Sequence, residues 1–344
     1  VVAIDLGGRT TKAVHLQRKA DKFVLAAYAL IAAPIYEKSL SSEMLAEHLK
    51  AVCQALSSRT KLTTLAIGVN DSIVRHAEMP AIPVEDMRQI LKVSPKNYLQ
   101  QDLPSHVFDC VAIAAKPATA TAPADPKTKP STMPKQRVLV GGAKRQLIDD
   151  LQEAIKSAGL TAESVVPALI GPVNAFELAM PEVFAKENVA LIDLGFKSTA
   201  ICILHEGDLA LSRTVAIGGD KLTAALAEAM GISYAEADGI KVGMPAEVQT
   251  HLEPILTSLG RELRASIDYF EHQHDKTISQ VFVSGAGASS PIIVQLLQAE
   301  LMAECKPWNP ASFVQPVLPP QQLAELEQVA PQLTVALGAA VASL

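Results

Sequence analysis

One segment of this sequence occurs twice, and that repeat narrows the folds open to the chain more than any other feature. Val1-Val-Ala-Ile-Asp-Leu-Gly-Gly-Arg-Thr-Thr-Lys-Ala-Val-His-Leu16 aligns without gaps on Val189-Ala-Leu-Ile-Asp-Leu-Gly-Phe-Lys-Ser-Thr-Ala-Ile-Cys-Ile-Leu204, an offset of 188 residues. Each copy is an apolar run ending in Asp-Leu-Gly, a short polar turn with a basic residue and hydroxyls, and a second apolar run. That is the pattern of a β-hairpin. Solenoids repeat every 20 to 50 residues or so, and a far longer offset predicts two related lobes instead.

Between the repeats, 65–70 and 73–80 read as paired strands, 84–101 as a helix, and 106–115 and 136–143 as two more strands. Pro117 to Lys135 holds five Pro, four Ala, four Thr and no aromatic residue, too little apolar surface to offset its ordering entropy, and is expected to be a flexible insertion. A second Pro-rich stretch, 307–320, is expected to be ordered because Trp308, Phe313 and Val317 can anchor it. In the second half, Asp220 is the expected cap of a helix that carries Leu222, Leu226 and Met230 and ends at Gly231. Ser233 and Glu236 form a capping-box pattern for the next helix. The apolar stripe from Leu252 to Ile267 predicts a long amphipathic helix, and strand 279–284 leads through Gly-Ala-Gly into helix 291–304. Strands followed by helices in both halves make this an α/β protein.

Composition limits the function. With 49% hydrophobic and 19% charged residues the chain has material for more than one core and is not a disordered segment. A net charge of −6 gives no overall field to attract nucleic acid. Cys53, Cys110, Cys202 and Cys305 are scattered, without zinc or disulfide spacing, which suits a reducing compartment and predicts a cytoplasmic protein. The opening apolar run reaches Asp5 too soon for the apolar core of a signal peptide. The uncharged stretches 277–299 and 328–344 are interrupted by polar residues and proline, so direct membrane insertion is not expected and attachment would come through partners. His272 and His274, two apart on a helix, point to different faces and make a poor metal pair.

The hairpins carry the chemistry. Gly7 and Gly8 let backbone amides approach phosphate oxygens, Thr10 and Thr11 add hydroxyls, and Arg9 and Lys12 add positive charge. Asp5 is placed to hold Mg²⁺ through water. Alone, such a turn is more simply an ordinary hairpin. Its recurrence in Asp193, Gly195, Lys197, Ser198 and Thr199 favours two facing hairpins gripping one phosphate tail and its metal, with Asp193 as the second metal carboxylate. A third element, Gly285-Ala286-Gly287-Ala288, sits where bare backbone can admit a base or ribose. It is not a dinucleotide fingerprint, because Ser290 stands where the third glycine would be.

The two Asp-x-Gly hairpins and the late Gly-Ala-Gly loop resemble the phosphate and adenosine motifs of the actin-like ATPase superfamily. Within it the chain is similar to the PilM family of type IV pilus assembly proteins, relatives of the FtsA division proteins. The resemblance covers nearly the whole chain. It includes Arg213-Thr-Val-Ala-Ile-Gly-Gly-Asp-Lys-Leu-Thr223, Gly231-Ile-Ser-Tyr-Ala-Glu-Ala-Asp-Gly-Ile-Lys241, Arg264-Ala-Ser-Ile-Asp-Tyr-Phe270 and Ala336-Leu-Gly-Ala-Ala340. It implies a two-lobe fold of duplicated ribonuclease-H-like subdomains with an FtsA/PilM-type extra subdomain in the first lobe. The divisions would be 1–62 and 160–187 for the first-lobe core, 63–159 for the inserted subdomain, and 188–344 for the second lobe, its last helix packing back toward the first. Asp238 and Lys241 would contact the ribose, and Gly218 and Gly219 would approach the phosphates. Arg9 and Phe196 depart from the small residues usual at their positions and narrow the phosphate site.

By the same resemblance, the expected function is a nucleotide-binding scaffold of a type IV pilus or related secretion platform. It would bind ATP with Mg²⁺ between the lobes and the cytoplasmic N-terminal peptide of a PilN-like bitopic protein, the latter in a groove between the inserted subdomain and the first-lobe body. The resemblance leaves room for contacts with other platform proteins and for self-association. The segment 165–177 offers only Glu177 as an acid, a poor water-positioning residue, so at most slow ATP hydrolysis is expected. Two other readings stay open at this point: a small-molecule (sugar) kinase of the superfamily, and an FtsA-like division or filament protein, which would carry an amphipathic membrane helix.

Overall fold

The two copies of the repeat form the same hairpin in the same register: Asp5 pairs with Lys12, and, 188 positions on, Asp193 pairs with Ala200. The computed structural model describes residues 1–34, 41–113, 134–243 and 245–344, with side chains for all of these but 242, 243 and 245–247. The chain runs β1 (Val2–Asp5), β2 (Thr10–Lys19), β3 (Lys22–Ala32), α1 (Ser42–Ala55) and β4 (Leu62–Ile67). It continues through β5 (Ser72–Pro80), α2 (Val84–Val93), α3 (Lys96–Leu99), β6 (His106–Ala112), β7 (Lys135–Lys144) and α4 (Arg145–Ser157). Then come β8 (Thr161–Pro167), α5 (Gly171–Ala179), α6 (Pro181–Lys186), β9 (Asn188–Leu194), β10 (Thr199–His205) and β11 (Asp208–Val215). Helices α7 (Gly219–Met230), α8 (Tyr234–Gly243) and α9 (Pro245–His274) precede β12 (Gln280–Ser284), α10 (Pro291–Leu301), β13 (Cys305–Pro307), β14 (Val314–Pro316), α11 (Pro320–Val329) and α12 (Thr334–Val341).

Residues 1–69 and 151–344 make one compact unit holding two sheets of matching topology. The first has the order β14-β3-β2-β1-β4-β8 and the second β11-β10-β9-β12-β13. In both, a three-stranded antiparallel meander is followed by strands parallel to its first strand, β4 and β8 beside β1, β12 and β13 beside β9. The near-continuous apolar runs of β1 and β9 follow from their central places: Val2, Ala3 and Ile4, like Ala190 and Ile192, are wholly buried.

Each sheet has its own core. Under the second lie Leu222 and Leu226 of α7 and the α9 stripe Leu252, Leu256, Leu259, Leu263 and Ile267, at the spacing that puts them on one face. Under the first lie Leu326, Leu333, Val335, Ala336, Leu337 and Ala340, so α12 packs onto β1, β2 and β4. That helix crosses α5 at backbone contact. A Cβ on Gly171 would stand 2.7 Å from the Val335 Cα, and one on Gly338 would fall on the Gly171 carbonyl.

The second compact unit, 70–150, holds the antiparallel sheet β5-β7-β6. Met79, Met87, Leu91, Leu99, Val138 and Val140 form its core with α2 and α3.

Several expectations change. The strands at 62–67 and 72–80 do not pair with each other: β4 lies parallel to β1 in the first sheet, and β5 pairs with β7. The inserted unit therefore starts after β4, at Asn70, instead of at 63. Helix 84–101 ends at Val93, because Pro95 restricts the preceding residue, and resumes as the single turn α3. Strand β14 joins β3 of the first sheet, although 188–344 was assigned to the second lobe. In the Pro-rich connection Trp308 is buried and Phe313 meets Phe23 edge-on at 5.6 Å, but Val317 is 59% exposed and its anchor is its N–H, donated to the Leu25 carbonyl at 2.9 Å. The insertion expected over 117–135 lies, apart from Pro134 and Lys135, outside the described residues.

Candidate functional site

The register of the first hairpin brings Lys12 across to Asp5, Nζ to Oδ2 at 3.1 Å, with both side chains largely shielded from water. Burial alone would lower the Lys12 ammonium, but the charge and hydrogen bond of Asp5, with Asp193 beyond it, outweigh burial and hold it above its ordinary value. Gly7 is required by the turn: its N–H returns to the Asp5 carbonyl at 2.9 Å, and a Cβ there would lie 2.5 Å from the Thr10 carbonyl. Strand alternation puts Thr10 on the face of Lys12 and Thr11 on the other. There the Thr11 hydroxyl, 1% exposed, meets His48 Nε2 at 2.7 Å, so Thr11 is not brought to the site face.

The second hairpin repeats the turn, with the Gly195 N–H donating to the Asp193 carbonyl at 3.2 Å. Ser284, in register with Asp193 on β12, donates to its Oδ1 at 3.0 Å. Burial pushes the Asp193 carboxyl above its ordinary value, against the Lys12 charge and the Ser284 hydrogen bond. Thr199 is buried, its hydroxyl donated to the Ile217 carbonyl at 2.7 Å, and Ser198 is buried beside it. Lys197 extends over the Phe196 ring to Asp220, 2.6 Å away. The two turns meet at their tips. A Cβ on Gly8 would stand 3.3 Å from Lys197 Cγ and 3.7 Å from the Phe196 ring.

Helix α7 begins against this second turn. The Gly219 N–H donates to the Gly195 carbonyl at 3.0 Å and the Asp220 N–H to the Phe196 carbonyl at 2.9 Å. Gly218 is the N-cap residue, and a Cβ on it would lie 2.7 Å from the Gly195 carbonyl. Asp220 is thus not the cap that its position suggested. Its carboxylate is drawn instead to Lys197 and to the Tyr234 hydroxyl, 2.7 Å away, and the hydrogen bond from Lys197 holds it below its ordinary value. Tyr234 is pushed up to about 12, first by burial and then by Asp220. The expected capping box is formed: the Ser233 N–H donates to Glu236 at 2.9 Å and the Glu236 N–H to the Ser233 hydroxyl at 3.3 Å.

Asp238 and Lys241, one turn apart on α8, belong to one network. Lys241 Nζ donates to Asp238 Oδ1 at 3.1 Å, to the Gly219 carbonyl at 3.4 Å and to the Thr223 hydroxyl. Arg9 reaches the same carboxylate from the first hairpin with two bonds of 2.9 and 2.5 Å. The hydrogen bonds from the Arg9 guanidinium and, after it, the Lys241 ammonium outweigh burial and bring Asp238 down to about 2. The Gly-Ala-Gly loop closes the far side on the second sheet. Gly285 has φ +82°, its N–H donates to the Pro331 carbonyl at 2.8 Å, and a Cβ there would lie 2.5 Å from the Leu194 carbonyl. Gly287 packs on the Leu194 side chain, Ala288 is buried and Ala286 is exposed.

Of the residues expected from the sequence, the two turns bring together Asp5, Gly7, Gly8, Arg9, Lys12, Asp193, Gly195 and Lys197, and Arg9 ties them to Asp238 and Lys241. Ser284, Thr223, Asp220 and Tyr234 were not among the expected site residues. Only Ser284 had a local signal, a polar residue ending an apolar strand, at the level of Asp193. Among the described residues no group of three or more His, Cys, Asp or Glu is placed to hold a metal ion, and no helix is long and apolar enough to cross a membrane.

The family profile described as type IV pilus assembly protein PilM matches residues 3–344. The chain belongs to that family. The match favours neither the sugar-kinase nor the FtsA-like reading. Among solved structures, the PilM-PilN type IV pilus biogenesis complex is 21% identical with a TM-score of 0.82, covering 100% of this chain and 98% of that one. The ethanolamine utilization protein EutJ from Carboxydothermus hydrogenoformans is 15% identical with a TM-score of 0.56, covering 99% and 88%. MreB 5 of Spiroplasma citri bound to AMPPNP is 11% identical with a TM-score of 0.52, covering 99% and 94%. The fold is the actin-like one of two lobes, and the two sheets of matching topology agree with it.

Proposed function

We propose that the chain is a nucleotide-binding scaffold of a type IV pilus or related secretion assembly platform, held at the cytoplasmic face of the inner membrane by a PilN-like bitopic protein whose N-terminal peptide it binds. The observation that supports the nucleotide half is the meeting of two copies of one turn, with Asp5, Asp193 and the single ammonium of Lys12 at their base and Gly8 at their contact. The donor set fits ATP with Mg²⁺. Two carboxylates that belong to no larger group of metal-ligating side chains among the described residues suit an ion that keeps most of its water, and Lys12, Lys197 and Arg9 suit a phosphate tail. Mg²⁺, when bound, would neutralise phosphate charge. Asp5 and Asp193 would hold it through water, Lys12 would keep the carboxylates from repelling each other, and Asp238 with Lys241 would orient the ribose. The Gly285-Ala-Gly287 loop, packed on Leu194, would border the base.

The structure of MreB 5 contains AMPPNP on the same fold, and that of the pilus relative contains PilN; both agree with this reading. Glu177, exposed on α5, is no better a water-positioning group than its sequence context promised, so binding rather than rapid turnover is the proposed role. The test is calorimetric titration of the full chain with Mg-ATP, and separately with a peptide copying the cytoplasmic start of the PilN-like protein. Both are expected to bind. Rapid phosphate transfer to a sugar, with no peptide binding, overturns the reading.

A further inference from the structure

Four cations surround the two turns, and each has a carboxylate: Lys12 on Asp5, Lys197 on Asp220, Lys241 on Asp238, and Arg9 also on Asp238. The count is uneven. Of the three carboxylates Asp238 alone holds two cations, so Arg9 can leave a paired carboxylate behind, whereas the departure of Lys12 or Lys197 would leave its partner without a cation in contact. Arg9 is also the exposed member of the double pair, 47% accessible against 14% for Lys241. The oxygens divide the same way. Oδ1 of Asp238 accepts from Lys241 and Thr223 as well as from Arg9 Nη1, while Oδ2 accepts from Arg9 Nη2. Finally, the guanidinium lies 5.6 Å from the centre of the Phe196 ring, beside the contact of the two turns, where a phosphate tail would arrive.

We infer that Arg9 is a phosphate-released latch: it pairs with the ribose-facing carboxylate of Asp238 and transfers its two N–H donors to a phosphate when one enters between the turns. The inference rests on the nucleotide reading above and deepens it. A guanidinium presents its donors in a fork that fits carboxylate and phosphate alike, so the exchange replaces one bidentate partner by another. Asp238 stays ionised and paired with Lys241, and its Oδ2 becomes an acceptor for a ribose hydroxyl. Phosphate and ribose recognition are then coupled through one side chain, and a nucleoside without phosphates must displace Arg9 while offering it nothing. Coupling of this kind is reciprocal: whatever a polyphosphate does for nucleoside affinity, a nucleoside does for polyphosphate affinity.

Calorimetry on the full chain tests this with adenosine, tripolyphosphate and ATP as separate probes, on the parent and on Arg9→Ala and Arg9→Gln, with thermal melts to establish that each variant is folded. In the parent, saturating tripolyphosphate is expected to tighten adenosine binding about fivefold or more. In both variants, adenosine alone is expected to bind about threefold to fivefold tighter than in the parent, and tripolyphosphate to add nothing further. If ATP binds but adenosine affinity is the same with and without Arg9, or the polyphosphate effect persists in the variants, the latch is wrong and the nucleotide reading stands. If neither parent nor variants bind ATP, both fall together.

Discussion

Asp5 and Asp193 occupy the same place in two copies of one hairpin, but only Asp5 faces a cation across its ladder: Lys12 stands opposite the first and Ala200 opposite the second. The first lobe therefore supplies the ammonium that serves both carboxylates, and the second lobe supplies a hydroxyl, Ser284, in its stead. The duplication has kept the backbone and divided the charge.

Lys12→Met is expected to weaken ATP at least about tenfold and to lower unfolding stability by about 3 kcal/mol, since removing one partner of a shielded pair leaves the other charge uncompensated. Calorimetry and urea unfolding on the same preparation check both.

Asp193→Asn is expected to act in the opposite direction on stability. A carboxyl raised above its unfolded value of 3.8 binds its proton more tightly when folded, so it costs stability as pH rises past that value. The asparagine variant should melt higher than the parent at pH 7 and coincide with it at low pH, where both side chains are neutral, while losing ATP binding. A parent that melts higher at pH 7 would contradict this.

Asp238 titrates with the other sign. Its carboxyl is depressed to about 2 from 3.8, so its contribution is complete above pH 4 and is lost as pH falls toward 2. After allowance for the exposure of Arg9, that contribution is about 1 kcal/mol. Asp238→Asn should be less stable than the parent by that amount at pH 7, the gap closing between pH 4 and 2 in a series of denaturant titrations.

Two glycines with positive φ separate strain from crowding. At Gly231, φ +66°, a Cβ meets nothing within 4 Å, and Gly231→Ala is expected to cost about 1 kcal/mol. At Gly285 the backbone region is one that only glycine enters and the Leu194 carbonyl stands 2.5 Å from the new atom, so Gly285→Ala should cost about 3 kcal/mol or more. Equal losses in urea unfolding would refute the distinction.

What the sequence carried about this molecule is mostly what repeats or caps. The hairpin register, the Ser233–Glu236 box and the Gly231 helix end are local patterns, and each is present in the structure. The error at β4 and β5 has a physical origin: two apolar strands with Gly68, Asn70 and Asp71 between them look like a hairpin from composition alone, but one completes a parallel sheet and the other starts a separate unit. Asp220 looked like a cap because it precedes an apolar periodicity, and the preceding turn's carbonyls, invisible to local reasoning, already receive the amides. The Arg9–Asp238 pair joins positions 229 apart, and nothing in either neighbourhood announces it.

The placement of α12 sets an order on how the molecule is made. The second sheet draws its strands from residues 188–307, a continuous stretch, whereas the first draws on residues 2–32, 62–67, 161–167 and 314–316 and is lined by Leu333 to Ala340. Residues 2–32 therefore leave a ribosome before the rest of their sheet and wait longest for their core, while the later lobe can close before that core is complete. Throughout synthesis the early hairpin is a set of apolar strands lacking the helix that lines their sheet, the interval in which a chaperone has most to protect.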